Sequence, residues 1–300
     1  MLTQKEPDLS LLKPLQDRFE ADLREHIDQL GEKTRLRDAC AYALFNGGKR
    51  IRPLLVMVIA KALGRGLDVK EVTLSVEYFH TASLIADDLP CMDNGDVRRN
   101  HPSLHCVFGE TVSLLASYAL ISAAYEKIFA GTRVLSLAAA PVCDRAHEVC
   151  SLALGHAAHC AGILGATGGQ FLDLFIRPST EAGVREVIYK KTVTLFEVAF
   201  VFGWLFGGGG LGRVHKVKEI ALHFGMAFQI ADDFCDGFED GDKGFNAVQC
   251  LGKKRAHAIF EREMELLRGK IAALSLRSPE FDQMVDFLAY LGKKGASEVS

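Results

Sequence analysis

Two short acidic runs carry more chemistry for their length than any other part of the chain. Asp87, Asp88 and Asp93 close an apolar segment that passes through His80, and Arg98 and Arg99 follow directly. Much later, Asp232, Asp233 and Asp236 close a second apolar segment. At helical spacing His80, Leu84 and Asp87 share one face, and so do Gln229, Asp232, Asp233 and Asp236, at i, i+3, i+4 and i+7. Carboxylates set into an apolar background are costly unless a cation compensates them. Magnesium takes oxygen ligands from carboxylates, water and phosphate together, so two such clusters facing each other across a cavity suit a shared diphosphate. A single acidic pair at a solvated helix end would carry no such meaning. Two of them, each ending a strongly apolar helix, do.

These groups must be positioned by helices. Leu12, Leu15, Phe19, Leu23 and Ile27 form one stripe across residues 10–30. A helix over 35–45 stops at Asn46-Gly47-Gly48, and Pro53 sits in the first turn of the next, over 54–63. The helix over 71–89 is apolar on most sides and ends at Pro90. Further helices are expected over 110–129, 134–164, 168–176, 183–206, 214–236, 247–272 and 279–292. No strand period, repeat or linker is visible. The expectation is one all-α domain over residues 1–300, a bundle of roughly ten or more helices around a deep central cavity.

Composition narrows the partners. The chain is 49% apolar and 24% charged with a net charge of −3, which gives no general attraction for nucleic acid. The apolar run from Thr111 to Tyr125 meets Glu126 too early to span a bilayer, so no stable membrane insertion is expected. A charged N-terminus and eight scattered cysteines with no CxxC pair suit a reducing cytoplasm.

Several separated motifs together resemble the trans-polyprenyl diphosphate synthases of the short-chain farnesyl and geranylgeranyl type. They are Asn46-Gly47-Gly48-Lys49-Arg50-Ile51-Arg52-Pro53, the acidic run of Asp87 to Asp93 with Arg98-Arg99, Gly168-Gly169-Gln170-Phe171-Leu172-Asp173-Leu174, Lys191-Thr192, and Phe228-Gln229-Ile230-Ala231-Asp232-Asp233 onward to Asp236. The resemblance implies an enzyme, a prenyltransferase that joins isopentenyl diphosphate to an allylic diphosphate. It further implies that Asp87, Asp88, Asp93, Asp232, Asp233 and Asp236 bind magnesium, about three ions per site. Arg98, Lys191, Thr192, Gln229 and Lys243 would hold the allylic diphosphate, and Lys49, Arg52, His80 and Arg99 the isopentenyl diphosphate. Asp87, Asp88, Lys191, Asp232 and Asp233 would carry catalysis. A homodimer is the implied assembly.

Electrostatic stabilisation of the departing diphosphate and an apolar pocket that keeps the allylic cation from water are what this chemistry needs. By the same resemblance Ala82 and Ser83 lie at the floor of the chain pocket. Both are small, leaving room for fifteen to twenty carbons unless a bulky residue such as Tyr118 closes it. Ala86, Ser117-Tyr118 and Phe245-Asn246-Ala247 depart from the family pattern, which keeps a weakly active regulatory subunit as the alternative. A class I terpene cyclase is a second alternative, opposed by the second aspartate cluster. Cys143, His147, Cys150, His156, His159 and Cys160 match no zinc spacing; Cys143, His147 and Cys150 share a helical face, which leaves a metal site as the alternative to the core cysteines and surface histidines expected there.

Overall fold

The computed structural model describes residues 7–176, 178, 180–235 and 245–298, with side chains to residue 294. Asp236 and Lys243 lie outside the described residues. The helices in chain order are α1 (Lys13–His26), α2 (Arg35–Phe45), α3 (Ile51–Ala62), α4 (Lys70–Asp87), α5 (Leu104–Phe108), α6 (Glu110–Ser136), α7 (Ala146–Ala161), α8 (Ala166–Phe175), α9 (Glu181–Ile188), α10 (Thr194–Phe206), α11 (Val214–Cys235), α12 (Ala247–Leu251), α13 (Lys253–Leu274) and α14 (Pro279–Glu298). Among the described residues the fold is all-α except for one small hairpin.

Helix α10 is the axis. Every residue along it is buried, the mark of a helix apolar all round, and α3, α4, α7 and α11 pack against it. Phe196, Phe200, Phe224 and Phe281 meet there as edge-on and tilted rings. Around this axis α4 lies along α6, and α11 contacts α13 and α14. Both acid-bearing helices therefore flank the same central element.

Several boundaries differ from expectation for physical reasons. The helix expected over 110–129 runs on as α6 to Ser136. A Cβ at Gly131 would stand 2.7 Å from a methyl of Val72, so the glycine serves the close approach of α4 and α6. Residues 134–164 thus divide between the end of α6 and α7. The helix expected over 247–272 breaks at Gly252 into α12 and α13. The stretch over 183–206 holds a π-helical turn, Tyr189–Val193, between α9 and α10. Such turns insert one extra residue into the helical ladder and recur at functional sites.

The hairpin was not legible as a strand pattern. Val97–Arg98 (β1) pairs antiparallel with His101–Pro102 (β2). Arg99 and Asn100 form its turn with φ of +53° and +64°, as a two-residue hairpin turn with both centres left-handed requires.

By length and composition, α6 and the stretch Cys143–Phe175 are apolar enough to cross a bilayer, contrary to the estimate from Thr111–Tyr125. In this fold α6 packs against α2, α4 and α7, and its Lys127 is buried beside Glu71, 2.8 Å away.

Candidate active site

The end of α4 divides its carboxylates. Successive helical residues point about 100° apart, so Asp87 faces a cavity while Asp88 turns away from it into the fork of Arg98. Asp88 is buried, and Arg98 Nε donates to both its oxygens at 3.0 and 3.2 Å. Asp93 is drawn back beside Asp87 by the loop beyond Pro90, its own N–H donating to the carbonyl of Asp87 at 2.9 Å. In this arrangement Asp88 and Arg98 hold the loop together. Asp88, expected as a metal ligand, and Arg98, expected at the diphosphate, are paired with each other in this arrangement.

The π turn supplies the cation opposite. Lys191 forms an ion pair with Asp173 of α8, and its charge acts on Asp87 and Asp93. Helix α8 reaches this turn only because residue 169 is glycine. A Cβ there would overlap the backbone of Lys191. The same approach brings Gln170 Nε2 to donate to Asp93 at 3.1 Å. Burial pushes the Asp87 carboxyl up to about 7 despite Lys191, and burial likewise raises Asp93. Asp173 was quoted within a motif but not as a site residue; no helix-face argument joins it to Asp87, because the link is the approach of α8 to the turn.

At the end of α11 the division repeats with different partners. Asp232 remains open and lies 3.5 Å from Lys49 Nζ. Asp233 is buried, with Oδ1 accepting from Gln229 Nε2 at 2.6 Å and Oδ2 from the Ala247 N–H at 2.7 Å. Thr192 donates to Gln229 Oε1 at 2.6 Å. Asp233, expected as a metal ligand, is thus joined with Gln229 and Thr192 in one chain of bonds. Asn246 caps α12 and donates to the Asp233 carbonyl, while the Phe245 N–H donates to Asp173 at 2.8 Å. The departure at Phe245-Asn246 thus ties the α11 end to α8.

A cationic nest lies beside Asp232. Arg52 is stacked on the Phe196 ring, 4.2 Å from its centroid, and its Nη1 is 3.3 Å from His80 Nε2. Arg99 donates to the Gly47 carbonyl at 2.5 Å and lies 3.5 Å from the same histidine nitrogen. Gly48 makes room for it, since a Cβ there would stand 2.6 Å from the guanidinium carbon. Burial, then Arg52 and Arg99, hold His80 neutral, well below its usual range. Burial lowers Arg52 to about 10, still a cation at neutral pH. Arg52 Nε and His80 Nδ1 are buried with no protein partner, and buried polar atoms without partners are exceptional. Arg50, by contrast, is fully engaged with Glu20, Glu77 and the Leu44 carbonyl. It braces the nest from behind.

Below Asp87 opens a cavity of about 360 Å³. Ala82, Ser83 and Ala86 line one side along α4, Leu174 and Leu195 face it, and Phe79 and Ile121 stand deeper. Phe79 is held edge-on by Tyr125, 5.1 Å between centroids. Tyr118 points outward and is exposed, and Ser117 lines the wall instead, donating to the Ala82 carbonyl at 2.9 Å. Tyr118 therefore does not close the floor.

The donor set fits a divalent cation. Asp87, Asp93 and Asp232 are oxygen donors open at the site, and burial raises the carboxyls of Asp87 and Asp93, a cost that a cation there would offset. Hard oxygen ligands of this kind suit magnesium.

A magnesium-suited acidic mouth, an apolar shaft and an anion nest, all carried by helices around one buried axis, define a class I isoprenoid synthase site. Residues 33–248 match the polyprenyl synthetase family, and the chain belongs to that family. It is 33% identical over 271 residues to geranylgeranyl pyrophosphate synthase 3, chloroplastic, of Arabidopsis thaliana, covering 86% of this chain and 71% of that protein. With geranylgeranyl pyrophosphate synthase, chloroplastic, of Catharanthus roseus it shares 34% over 209 residues, 68% of this chain and 56% of that one. The chain thus spans little more than half the length of the second relative. Among solved structures, an FPP/GFPP synthase from Zymomonas mobilis superposes with a TM-score of 0.77 at 27% identity, covering 94% of this chain and 99% of that one.

Proposed function

We propose that the chain is a short-chain trans-prenyltransferase that condenses isopentenyl diphosphate with an allylic diphosphate. The observation that carries this is the nest of Lys49, Arg52, His80 and Arg99, with two buried nitrogens lacking protein partners, set beside an acidic mouth above an apolar shaft. One anionic substrate enters the nest. The other lies with its diphosphate at Asp87, Asp93, Asp232 and Lys191 and its hydrocarbon tail in the cavity.

Asp87, Asp93 and Asp232 would hold magnesium, about three ions by family resemblance, which would supply positive charge to the leaving diphosphate. Lys191 lies beside the same oxygens and stabilises the developing charge. The apolar wall of Ala82, Ala86, Leu174 and Leu195 excludes water from the allylic cation. Arg52, Arg99 and neutral His80 hold isopentenyl diphosphate so that its double bond meets the cation. The proton lost afterwards passes to the released diphosphate.

The small Ala82 and Ser83 leave the upper shaft open, and Phe79 against Tyr125 sets its depth, which supports products of fifteen to twenty carbons. Leu114, Leu115, Tyr118 and Phe129 are exposed apolar side chains on α6. A second copy of the chain covering them gives the homodimer, which light scattering of the purified protein would reveal.

The test of the activity is direct. Purified protein with magnesium and labelled isopentenyl diphosphate is offered dimethylallyl, geranyl or farnesyl diphosphate, and the products are sized. Elongation of at least one is expected. Elongation of none refutes the synthase and leaves the non-catalytic subunit, whereas a cyclic hydrocarbon from the allylic substrate alone identifies a cyclase.

A further inference from the structure

Away from the mouth, three metal-ligating side chains meet where α7 packs on α10. His156 and Cys160 project from one face of α7 at i and i+4, and Glu197 comes from α10. All three are buried, and their donor atoms lie within 4.8 Å of one another. The Cys160 sulfur is 3.6 Å from His156 Nε2, and that nitrogen is 3.8 Å from Glu197 Oε2. The thiol is within hydrogen-bonding reach of the imidazole, almost equidistant from its two nitrogens at 3.6 and 3.7 Å, whereas the imidazole and carboxylate are too far apart for a hydrogen bond.

The sulfur–nitrogen distance equally suits two ligands of one ion, and the nitrogen–oxygen distance exceeds that spacing by only a few tenths of an ångström. Zinc–sulfur and zinc–nitrogen or oxygen bonds of about 2.3 and 2.0–2.1 Å at tetrahedral angles put neighbouring donors about 3.3–3.6 Å apart. The carboxylate is also oriented as a ligand would be. Its Oε1 accepts the Tyr189 hydroxyl at 3.2 Å, leaving Oε2 aimed at the histidine. The other titratable groups facing the cluster are Lys218 of α11, which acts on Glu197, His156 and Cys160, and His159, which acts on His156. Cys143, His147 and Cys150 do not join the cluster.

We propose that His156, Cys160 and Glu197 form a buried binding site for a thiophilic divalent cation of the zinc type, distinct from the oxygen-only mouth. Binding forms one bond each to sulfur, nitrogen and oxygen, leaves the fourth position to water, and releases the thiol proton. One thiolate and one carboxylate then balance the ion's charge. The ion clamps α7 to α10 and, through Tyr189, steadies the first residue of the π turn that carries Lys191. This site is independent of the prenyl-transfer reading.

Cobalt tests it, because a thiolate ligand gives cobalt a sulfur charge-transfer absorption that aspartates cannot. Untagged protein is stripped with chelator under reducing conditions and titrated with cobalt. The band is expected to saturate near one equivalent in the wild type and in Asp87→Asn, and to vanish in Cys160→Ser and His156→Gln. Zinc should displace the cobalt, and should raise the melting temperature of the wild type but not of Cys160→Ser. Absence of the band in folded wild-type protein overturns the proposal, so it is falsifiable even if a variant does not fold. Persistence of the band in folded Cys160→Ser also overturns it, by placing the ion on another cysteine.

Discussion

The acidic mouth and the cationic nest lie on one face of α4, two turns apart, and they are short of opposite charges. At the mouth Asp87 and Asp93 are crowded, and burial raises both carboxyls. In the nest, Arg52 and Arg99 are lowered by burial and His80 is kept neutral. The halves meet only at Asp232, which lies 3.5 Å from Lys49 and acts on Arg52; Asp87 is balanced instead from Lys191, and Arg52 chiefly from Glu77. A protein built only for stability would bring such groups together. Their separation along one helix leaves a place for a metal-bound anion at one end and a bare anion at the other.

The strongest way to break the mouth alone is Asp87→Asn. Its kcat/KM in steady-state elongation should fall by about 10²–10³-fold, as when a principal electrostatic group is removed. The metal-free chain should nevertheless become more stable. A carboxyl raised from its ordinary value to about 7 favours the folded state at low pH and loses that advantage as pH rises to 7. The gain from asparagine should therefore grow between pH 4 and 7 and level above it. It should reach about 1–2 kcal/mol in thermal melts at pH 8, discounted because Asp87 is partly open to solvent. A variant losing stability at pH 8 would contradict the crowding at the mouth.

The nest should fail differently. Arg52→Met removes charge-assisted bonds worth about 1.5–3 kcal/mol. It should raise KM for isopentenyl diphosphate roughly ten- to hundredfold with little change for the allylic substrate. Equal changes for both substrates would show that the two regions are not separate.

Gly169→Ala tests the support rather than the ligands. Overlap with the Lys191 backbone should cost roughly 1–3 kcal/mol in denaturant unfolding and lower kcat more than it changes either KM. The smallest effect on rate belongs to the shaft, where Ala82→Tyr should shorten the main product and Phe79→Ala lengthen it. Unchanged product lengths in both would move the floor elsewhere.

Much of this arrangement is legible in residue order. The 3.6 period and the Asn46-Gly47-Gly48 stop locate α2 over Arg35–Phe45 as expected, and both acidic runs do end apolar helices. What periodicity cannot show is which of two adjacent aspartates faces inward. Asp87 and Asp88 differ only in angle, and the arginine that takes Asp88 arrives from a hairpin with two residues per strand. Asp173 escaped for a related reason, because it is brought in by contact between helices. Phe245-Asn246 looked like a loss, yet its backbone and side-chain bonds secure Asp173 and Asp233.

The π turn at Tyr189–Val193 makes the register of one long helical rod part of the site. It inserts a residue into the ladder, which puts the segment before it out of phase with the segment after it by about 100°. A deletion of any one residue within the turn would restore an unbroken α-ladder while leaving the composition of the rod almost intact. Val184, Val187 and Ile188 would then rotate against their neighbours, or Lys191 and Thr192 against theirs. Insertions and deletions should accordingly be tolerated far less at this buried turn than substitutions on the exposed face of α9.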